Sequence, residues 1–368
     1  MYTDRLTKLM EQAGDRGFDV VALVPGPNLF YLTGLSFHLS ERPVVVFLPV
    51  TKTPAIVVPA FEAVKVESTS IEMDVFPYTD EEGYTGAFKN ACVALGLTGR
   101  TIGAEAFKMR LVEAQLLERY APGCRLVPAE DALAELRMRK DEHELEQMRR
   151  AIAISEAALQ TTMQQARVGA TEKEIAANLV VEMLQGGGEG LSFSPIVVAG
   201  ANAALPHATP SERPIQSGET IVIDFGTTVG GYAADITRTF VFGELEPELA
   251  RVYEVVKAAN SAGRAAVRPG VAAEEVDQAA RAVIEEAGYG EYFNHRTGHG
   301  LGLETHEPPY IVAGNRQTLE PGMTFTVEPG VYLPERGGVR VEDDVVVTAD
   351  GVESLTTFKR ELISLPTT

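Results

Sequence analysis

The sequence has no tryptophan, two cysteines and six histidines among its 368 residues. Cys92 and Cys124 form no CxxC pair, so neither a disulfide framework nor a thiolate zinc site is indicated, and a reducing cytoplasm is the expected location. No apolar run approaches the ~18 residues that a membrane span requires. The first 17 residues have the scattered charges of an amphipathic helix, which is unlike the apolar core of a secretory signal.

Basic residues are also scarce. The chain has 32 lysines and arginines against 52 aspartates and glutamates, a formal net charge of −20. Nucleic acids and anionic membranes bind basic surfaces, so the charge excludes a general binder of either. The 45% hydrophobic content is enough for a sizeable core, and the length favours two domains.

Short apolar runs typical of buried strands alternate with helical patterns in the first third of the chain. The clearest runs are VVALV, PVVVFLPV and PAIVVPA, at residues 20–24, 43–50 and 54–60. A highly charged segment then opens a helical stretch that continues to about Arg167. We therefore expect an α/β domain at residues 1–136 and a second domain at residues 137–368.

The second domain contains a weak internal repeat. Three pairs of segments lie at similar offsets: residues 167–175 with 268–276, residues 217–226 with 321–330, and His207 with His306. Each half reads as two helices, a strand with a histidine, and a hairpin that carries acids. Chance alignment of common residues is the alternative, but three similar offsets in the same order favour duplication. Equivalent polar residues would then converge at the seam between the halves.

The first repeat carries two aspartates on either side of a glycine-rich turn. If the turn centres on Val229 and Gly230, Asp224 and Asp235 lie directly opposite each other. If it centres on Gly230 and Gly231, they are diagonal neighbours. In both cases the two carboxylates share one face of a hairpin.

The second repeat places Glu328 and Glu342 on either side of the turn LPERGG. Four carboxylates inside a fold are too costly without compensating charge, and two divalent ions would supply it. Such oxygen donors with one imidazole suit manganese, cobalt, iron or zinc, and the donor types do not choose among them.

The run RTGHGLGLETHEPP holds two of the six histidines, His299 and His306. Its glycines allow the backbone to approach neighbouring groups closely, so that His299 can be presented to a metal. His306 has an equivalent in His207, whereas His299 has none. We infer that His299 is the metal ligand and that the other two face the substrate. The remaining histidines, His38, His143 and His295, are interpreted as ordinary surface or core residues.

Simpler interpretations exist for each feature alone. An acid pair on a hairpin is usually a solvated face, and GHGLG by itself is consistent with a plain turn. The combination of four carboxylates and three histidines favours a functional site.

Together, these residues resemble the creatinase/aminopeptidase superfamily, metallopeptidases of the pita-bread fold that include methionine aminopeptidase, prolidase and aminopeptidase P. The resemblance covers residues from about 136 to the end, and the N-terminal part resembles the creatinase-type domain. It implies an α+β fold class: a creatinase-like α/β N-terminal domain followed by a pita-bread catalytic domain with an internal pseudo-twofold repeat.

The resemblance also implies a set of five metal ligands, which fall on Asp224, Asp235, His299, Glu328 and Glu342. It implies two divalent ions, with manganese as the first choice and cobalt, zinc and iron as alternatives. The ions would activate a water molecule for attack on the scissile carbonyl. Glu328 would shuttle a proton, while His207 and His306 would bind the substrate and stabilise the oxyanion or the departing amine.

The creatinase-like domain favours peptidases that act on peptides with proline at the second position. Prolidases of this family often carry an arginine four residues after the second histidine, where it can clamp the carboxylate of a dipeptide. Here Tyr310 occupies that position, which favours aminopeptidase P over prolidase. Arg340 could bind a carboxylate instead, or could pair with the nearby acids.

Other functions remain as alternatives. A prolidase is the first, a methionine aminopeptidase the second, and a non-catalytic peptide-binding module the third, although retention of all five ligands opposes the last. The resemblance also implies a homodimer. Residues 30–39 would either reach a neighbouring subunit's site or form a buried strand and turn.

Overall fold

The computed structural model describes residues 2–367, and the chain divides into two compact units at the Arg137–Met138 junction. The predicted N-terminal helix is present from Tyr2, and Met1 lies outside the described residues. Among the described residues, no helix is both long and apolar enough to cross a bilayer.

The first unit is built on one six-stranded sheet with the order β4-β3-β2-β1-β5-β6. Its helices are α1 (Tyr2–Asp15), α2 (Pro27–Thr33), α3 (Thr85–Leu95), α4 (Leu111–Tyr120) and α5 (Glu130–Met138), and a 3₁₀ segment covers Ala60–Ser68. Its strands are β1 (Val20–Leu23), β2 (Val45–Pro49), β3 (Ala55–Pro59), β4 (Asp74–Tyr78), β5 (Thr101–Ala104) and β6 (Arg125–Pro128). The three predicted apolar runs are confirmed as β1, β2 and β3. All three are buried, as continuous apolar runs require.

The segment at residues 30–39 differs from the strand and turn that was one expectation for it. It is the end of α2 followed by irregular chain. Pro27 occupies the first turn, where its missing N–H costs nothing, and Gly34 ends the helix in the left-handed conformation with φ 73°. These two residues outweigh the strand propensity of the aromatic and β-branched residues between them.

The second unit contains two helix pairs and several small sheets. Its helices are α6 (Glu142–Gln165), α7 (Glu172–Gln185), α8 (Pro247–Ala266) and α9 (Ala273–Glu286), with 3₁₀ segments at Gly200–Ala204 and Gly290–Tyr292. Its first strands are β7 (Gly190–Leu191), β8 (Ile196–Ala199), β9 (Thr220–Phe225), β10 (Thr227–Val229), β11 (Tyr232–Ala233) and β12 (Ile236–Phe242). Its later strands are β13 (Gly298–Gly300), β14 (Glu307–Ile311), β15 (Thr324–Val327), β16 (Gly330–Leu333), β17 (Gly337–Arg340), β18 (Asp343–Val347), β19 (Val352–Ser354) and β20 (Ile363–Leu365).

The two halves of this unit have the same order of elements. In the first half a helix pair precedes strands β8, β9 and β12, whose sheet is completed by β20 from the end of the chain; in the second half a helix pair precedes a five-stranded sheet, β14-β13-β15-β18-β19. A capping box starts α7, because Thr171 and Glu174 each accept a backbone N–H from the other. A second box, between Asp141 and Glu144, starts α6 within the charged segment.

Candidate metal centre and peptide cavity

The first acidic hairpin turns at Gly230 and Gly231. Both glycines have positive φ values, 58° and 81°, as a two-residue type I′ turn requires. In the resulting register Thr237 lies opposite Asp224, and Asp235 immediately precedes β12. The two aspartates are therefore diagonal neighbours, which was the second of the two arrangements considered.

The second acidic hairpin places its glutamates directly opposite each other. Strands β16 and β17 pair with Gly330 opposite Arg340, and the same register continues into the pairing of β15 with β18. Glu328 and Glu342 fall opposite each other between these ladders. Thr237 links the two hairpins, because its Oγ1 donates to Glu342 Oε2 at 2.5 Å.

His299 is presented from β13, which lies between β14 and β15. A Cβ at Gly298 or Gly300 would come within 1.8 or 2.2 Å of a carbonyl oxygen on a neighbouring strand, so both positions require glycine. The His299 Nδ1 lies 3.2 Å from the Gly300 carbonyl oxygen, which accepts the ring N–H and turns Nε2 toward the acids. That Nε2 lies 3.3 Å from Glu328 Oε1 and 3.6 Å from Asp235 Oδ2.

These donors fit a divalent cation. The ligand atoms of Asp235, His299 and Glu342 all lie within 4.8 Å of one another, and all three residues are buried. Asp224 Oδ1 is buried with no hydrogen-bond partner among the described residues, as expected of a carboxylate oxygen that binds a cation. Carboxylate oxygens with one imidazole are suitable ligands for first-row divalent metals.

The electrostatics of the metal-free cluster support this interpretation. Burial and repulsion from the neighbouring carboxylates raise the pKa values of Asp235 and Glu342 well above their ordinary range. Burial also raises the pKa of Asp224, against the opposing charge of Arg340. Glu328 is the exception: burial acts to raise its pKa, but the hydrogen bond and charge of His299 outweigh it and lower the pKa to about 2.

Metal binding should stabilise the protein more at neutral than at acid pH. In the folded protein the pKa values of Asp235 and Glu342 are raised. Their protonated forms therefore stabilise the fold below the unfolded-state pKa of ~4, and this stabilisation is lost as pH rises through the folded-state pKa values. A divalent ion relieves the repulsion that remains at neutral pH and competes with protons at acid pH. We expect Mn²⁺ at ~100-fold above its dissociation constant to raise the free energy of unfolding by ~3 kcal/mol at about pH 7. The increase should be clearly smaller at about pH 5. Thermal unfolding with and without Mn²⁺ measures this, and an equal shift at both pH values would contradict it.

A cavity of about 620 Å³ opens above the cluster. The predicted ligands and both substrate histidines line it: His207, Asp224, Asp235, His299, His306, Glu328 and Glu342. The His306 ring meets His299 edge-on with centroids 4.2 Å apart. Although His306 is exposed to the open cavity, partial burial and the charges of His299 and Arg296 lower its pKa to about 4. His306 is therefore neutral at neutral pH and has one N–H to donate.

His295 also lines the cavity, in contrast to its interpretation as an ordinary histidine. Its Nε2 lies 2.9 Å from the Tyr332 hydroxyl and its Nδ1 lies 2.7 Å from the Arg296 carbonyl oxygen. The sequence offered one indication, since His295 immediately precedes the run that holds His299 and lies four residues before that ligand.

Arg340 lines the cavity as well, but its donors are engaged. The Nη2 donates to Asp224 Oδ2 at 2.5 Å, Nη1 to the Tyr332 hydroxyl at 2.9 Å, and Nε to Thr237 Oγ1 at 3.0 Å. The side chain is only 4% exposed. Of the two roles considered for Arg340, these bonds support pairing with the nearby acids and oppose a role in binding the substrate carboxylate.

Tyr310 does not line the cavity, and its side chain is 38% exposed.

The fold and this site define a metallopeptidase built from a small α/β unit and a duplicated catalytic unit. The sequence matches the Creatinase/Prolidase N-terminal domain over residues 5–139 and metallopeptidase family M24 over residues 146–349. The chain belongs to metallopeptidase family M24. The predicted superfamily and its two-part fold are thereby confirmed.

The chain is similar over nearly its whole length to proteins that act on proline peptides. It is 35% identical to an Xaa-Pro dipeptidase from Lactobacillus delbrueckii subsp. lactis, over 98% of this chain and 99% of that protein. A prolidase from Thermococcus sibiricus of known structure is 35% identical, with a TM-score of 0.95 and 99% of each chain covered. An X-Pro aminopeptidase from Thermotoga maritima MSB8 is 33% identical, with a TM-score of 0.86, covering 98% of this chain and 99% of that one.

The chain is therefore a hydrolase of family M24, whose members use divalent metals. The prediction of an aminopeptidase P is not confirmed, and the prolidase alternative agrees better with the relatives. Tyr310 at that sequence position does not leave the cavity without an arginine, because Arg296 and Arg340 line it.

Proposed function

We propose that this chain is a dinuclear metal-dependent dipeptidase that hydrolyses Xaa-Pro dipeptides. The observation that carries the proposal is the convergence of four carboxylates and His299 at the base of one peptide-sized cavity. The similarity to dipeptidases and prolidases over the whole chain supports the substrate class.

The proposed site would hold two divalent ions. Asp224, Asp235, His299, Glu328 and Glu342 would be their ligands. When bound, the ions would supply Lewis acidity to activate water and polarise the scissile carbonyl. The burial of this cluster would strengthen each charge interaction within it.

Proton handling would fall to Glu328. Its carboxylate lines the cavity, where it would accept a proton from the attacking water. Thr326 Oγ1 lies 3.3 Å from Glu328 Oε1 and donates a hydrogen bond that holds the carboxylate in place.

The two cavity histidines would contact the substrate. His306 is neutral at neutral pH, so its N–H would stabilise the oxyanion that develops on the carbonyl. His207 lines the same cavity and would hold the substrate or the departing amine. A proline nitrogen has no N–H, so binding cannot rely on a backbone hydrogen bond at that atom.

The second candidate is aminopeptidase P, which the absence of arginine at position 310 favours and the similarity to an X-Pro aminopeptidase permits. Hydrolysis of Ala-Pro and Ala-Pro-Ala by metal-stripped protein, with Mn²⁺, Co²⁺ or Zn²⁺ returned singly, separates the two. We expect Ala-Pro to be cleaved at least ~10-fold faster, because the tripeptide lacks a carboxylate on proline. Comparable or faster cleavage of the tripeptide would establish the aminopeptidase instead.

We also propose that the protein is a cytoplasmic homodimer, from the family resemblance and the scarcity of cysteine. Light scattering should give twice the 39.6 kDa of one chain. A single-chain mass at working concentration would exclude the dimer.

A further inference from the structure

The proposed substrate creates an electrostatic problem in this cavity. A free dipeptide carries a carboxylate on its proline, and the cavity floor carries four carboxylates of its own. Recognition of that group requires a cation away from the metal cluster. Among the described residues that line the cavity, the arginines are Arg296 and Arg340. Arg340 is buried and committed to Asp224, so Arg296 is the available one.

The Arg296 guanidinium lies over the Tyr310 ring, with its Cζ 4.8 Å from the ring centroid. Stacking uses the flat face of the guanidinium and leaves its N–H edge free for two parallel bonds to a carboxylate. Within residues 2–367, no aspartate or glutamate forms an ion pair with Arg296. A half-buried arginine without an acidic partner is suited to an anionic ligand.

The backbone at Arg296 is fixed on both sides. The His295 Nδ1 contacts the Arg296 carbonyl oxygen at 2.7 Å, and the Thr297 N–H donates to the Ile311 carbonyl at 3.0 Å. Arg296 also lies three residues before His299, and it lines the same cavity as His306. The arginine therefore belongs to the cavity that the proposed substrate would occupy.

We infer that Arg296, seated on the Tyr310 ring, binds the C-terminal carboxylate of the dipeptide. This inference rests on the proposed Xaa-Pro dipeptidase function and assigns its preference for dipeptides to one side chain. Tyr310 occupies the position where prolidases of this family often carry an arginine, and its ring supports Arg296, which lies two residues before β13. Arg296 is a substrate-binding residue here and takes no part in bond cleavage.

The test compares Ala-Pro with Ala-Pro amide, which differ in the carboxylate alone, using the Mn²⁺-loaded full-length protein. The native protein should prefer Ala-Pro, and Arg296→Gln should lower the ratio of the two kcat/KM values about 10- to 100-fold, mainly through KM for Ala-Pro. Arg296→Lys should give a ratio between those of the native protein and Arg296→Gln, because lysine keeps the positive charge but cannot form two parallel hydrogen bonds to a carboxylate. Arg316→Gln is the matched control, since that arginine is 89% exposed and lies outside the cavity lining.

The outcomes separate this inference from the proposed function. If the native protein cleaves Ala-Pro but Arg296→Gln keeps the native ratio of Ala-Pro to Ala-Pro amide cleavage, Arg296 does not bind the carboxylate. The proposed dipeptidase function is then unaffected. If the native protein cleaves no Xaa-Pro substrate with any metal, both are overturned. An equal fall for both substrates would indicate a structural role for Arg296 and would also overturn the clamp.

A second pair of variants tests whether the Tyr310 ring positions Arg296. Tyr310→Phe keeps the ring and should leave the ratio of Ala-Pro to Ala-Pro amide within about twofold of native. Tyr310→Ala removes the stacking surface and should lower the ratio about two- to fivefold, since an exposed cation–π contact is modest. If Tyr310→Ala leaves the ratio unchanged, the ring does not position Arg296.

Discussion

Asp235→Asn should abolish Xaa-Pro hydrolysis, with kcat/KM reduced ~10³-fold or more, since changing even an outer partner of a metal ligand typically costs 10- to 100-fold. Asp235 lies within the buried three-residue cluster and 3.6 Å from the His299 Nε2. An uncharged carboxamide cannot supply the anionic oxygen that we propose as a ligand of the metal ions.

The same variant has a second, opposite effect that separates metal binding from folding. Because the pKa of Asp235 is raised by burial and repulsion, its ionised form opposes folding of the metal-free protein at neutral pH. Metal-free Asp235→Asn should therefore be at least as stable as native protein, while its stabilisation by Mn²⁺ should largely disappear. Asp350→Asn, at an exposed turn, is the control and should keep native activity. Native turnover in Asp235→Asn would show that the cluster is not the active site.

Arg340→Met should destabilise the metal-free protein by ~3 kcal/mol, the cost expected when one partner of a buried ion pair is removed. The substitution leaves Asp224 without its donor beside three other acids. It also frees the Tyr332 hydroxyl and Thr237 Oγ1, each of which accepts an N–H from Arg340. Lysine cannot reproduce this planar fork, so Arg340→Lys should recover only part of the loss.

Urea denaturation of metal-free protein measures this change, with Arg316→Met as the exposed control. Excess Mn²⁺ should reduce the difference in unfolding free energy between native protein and Arg340→Met, because bound cations would replace the charge that Arg340 supplied. If Arg340→Met were as stable as native protein but lost its preference for Ala-Pro over the amide, Arg340 would be the clamp and the assignment to Arg296 would be wrong.

The fold and the acidic centre were largely predictable, because their determinants are local in sequence. The turn at Gly230 and Gly231 allowed the faces of Asp224 and Asp235 to be inferred from their spacing alone. The glycines beside His299 indicated close strand contact, and the structure places carbonyl oxygens where their side chains would be. Duplication added the equivalence of His207 and His306.

The specificity of the cavity was less predictable, because it depends on contacts between strands that are separate in sequence. Arg296 and Tyr310 meet only once β13 and β14 are paired, and no spacing rule relates them in advance. The bonds of Arg340 to Asp224 and Tyr332 likewise require three strands to be in place. The absence of arginine at position 310 therefore does not by itself decide dipeptide preference.

The central claim is that the five-residue cluster is a two-metal centre for Xaa-Pro hydrolysis. It is tested most directly by titrating Mn²⁺ into metal-stripped native protein while Ala-Pro hydrolysis is followed, with bound metal counted by elemental analysis at each point. Activity should rise from background to a plateau when two ions are bound per chain, and Asp235→Asn should show neither rise nor plateau. Full activity in the stripped protein, or two bound ions without Ala-Pro cleavage, would contradict the account.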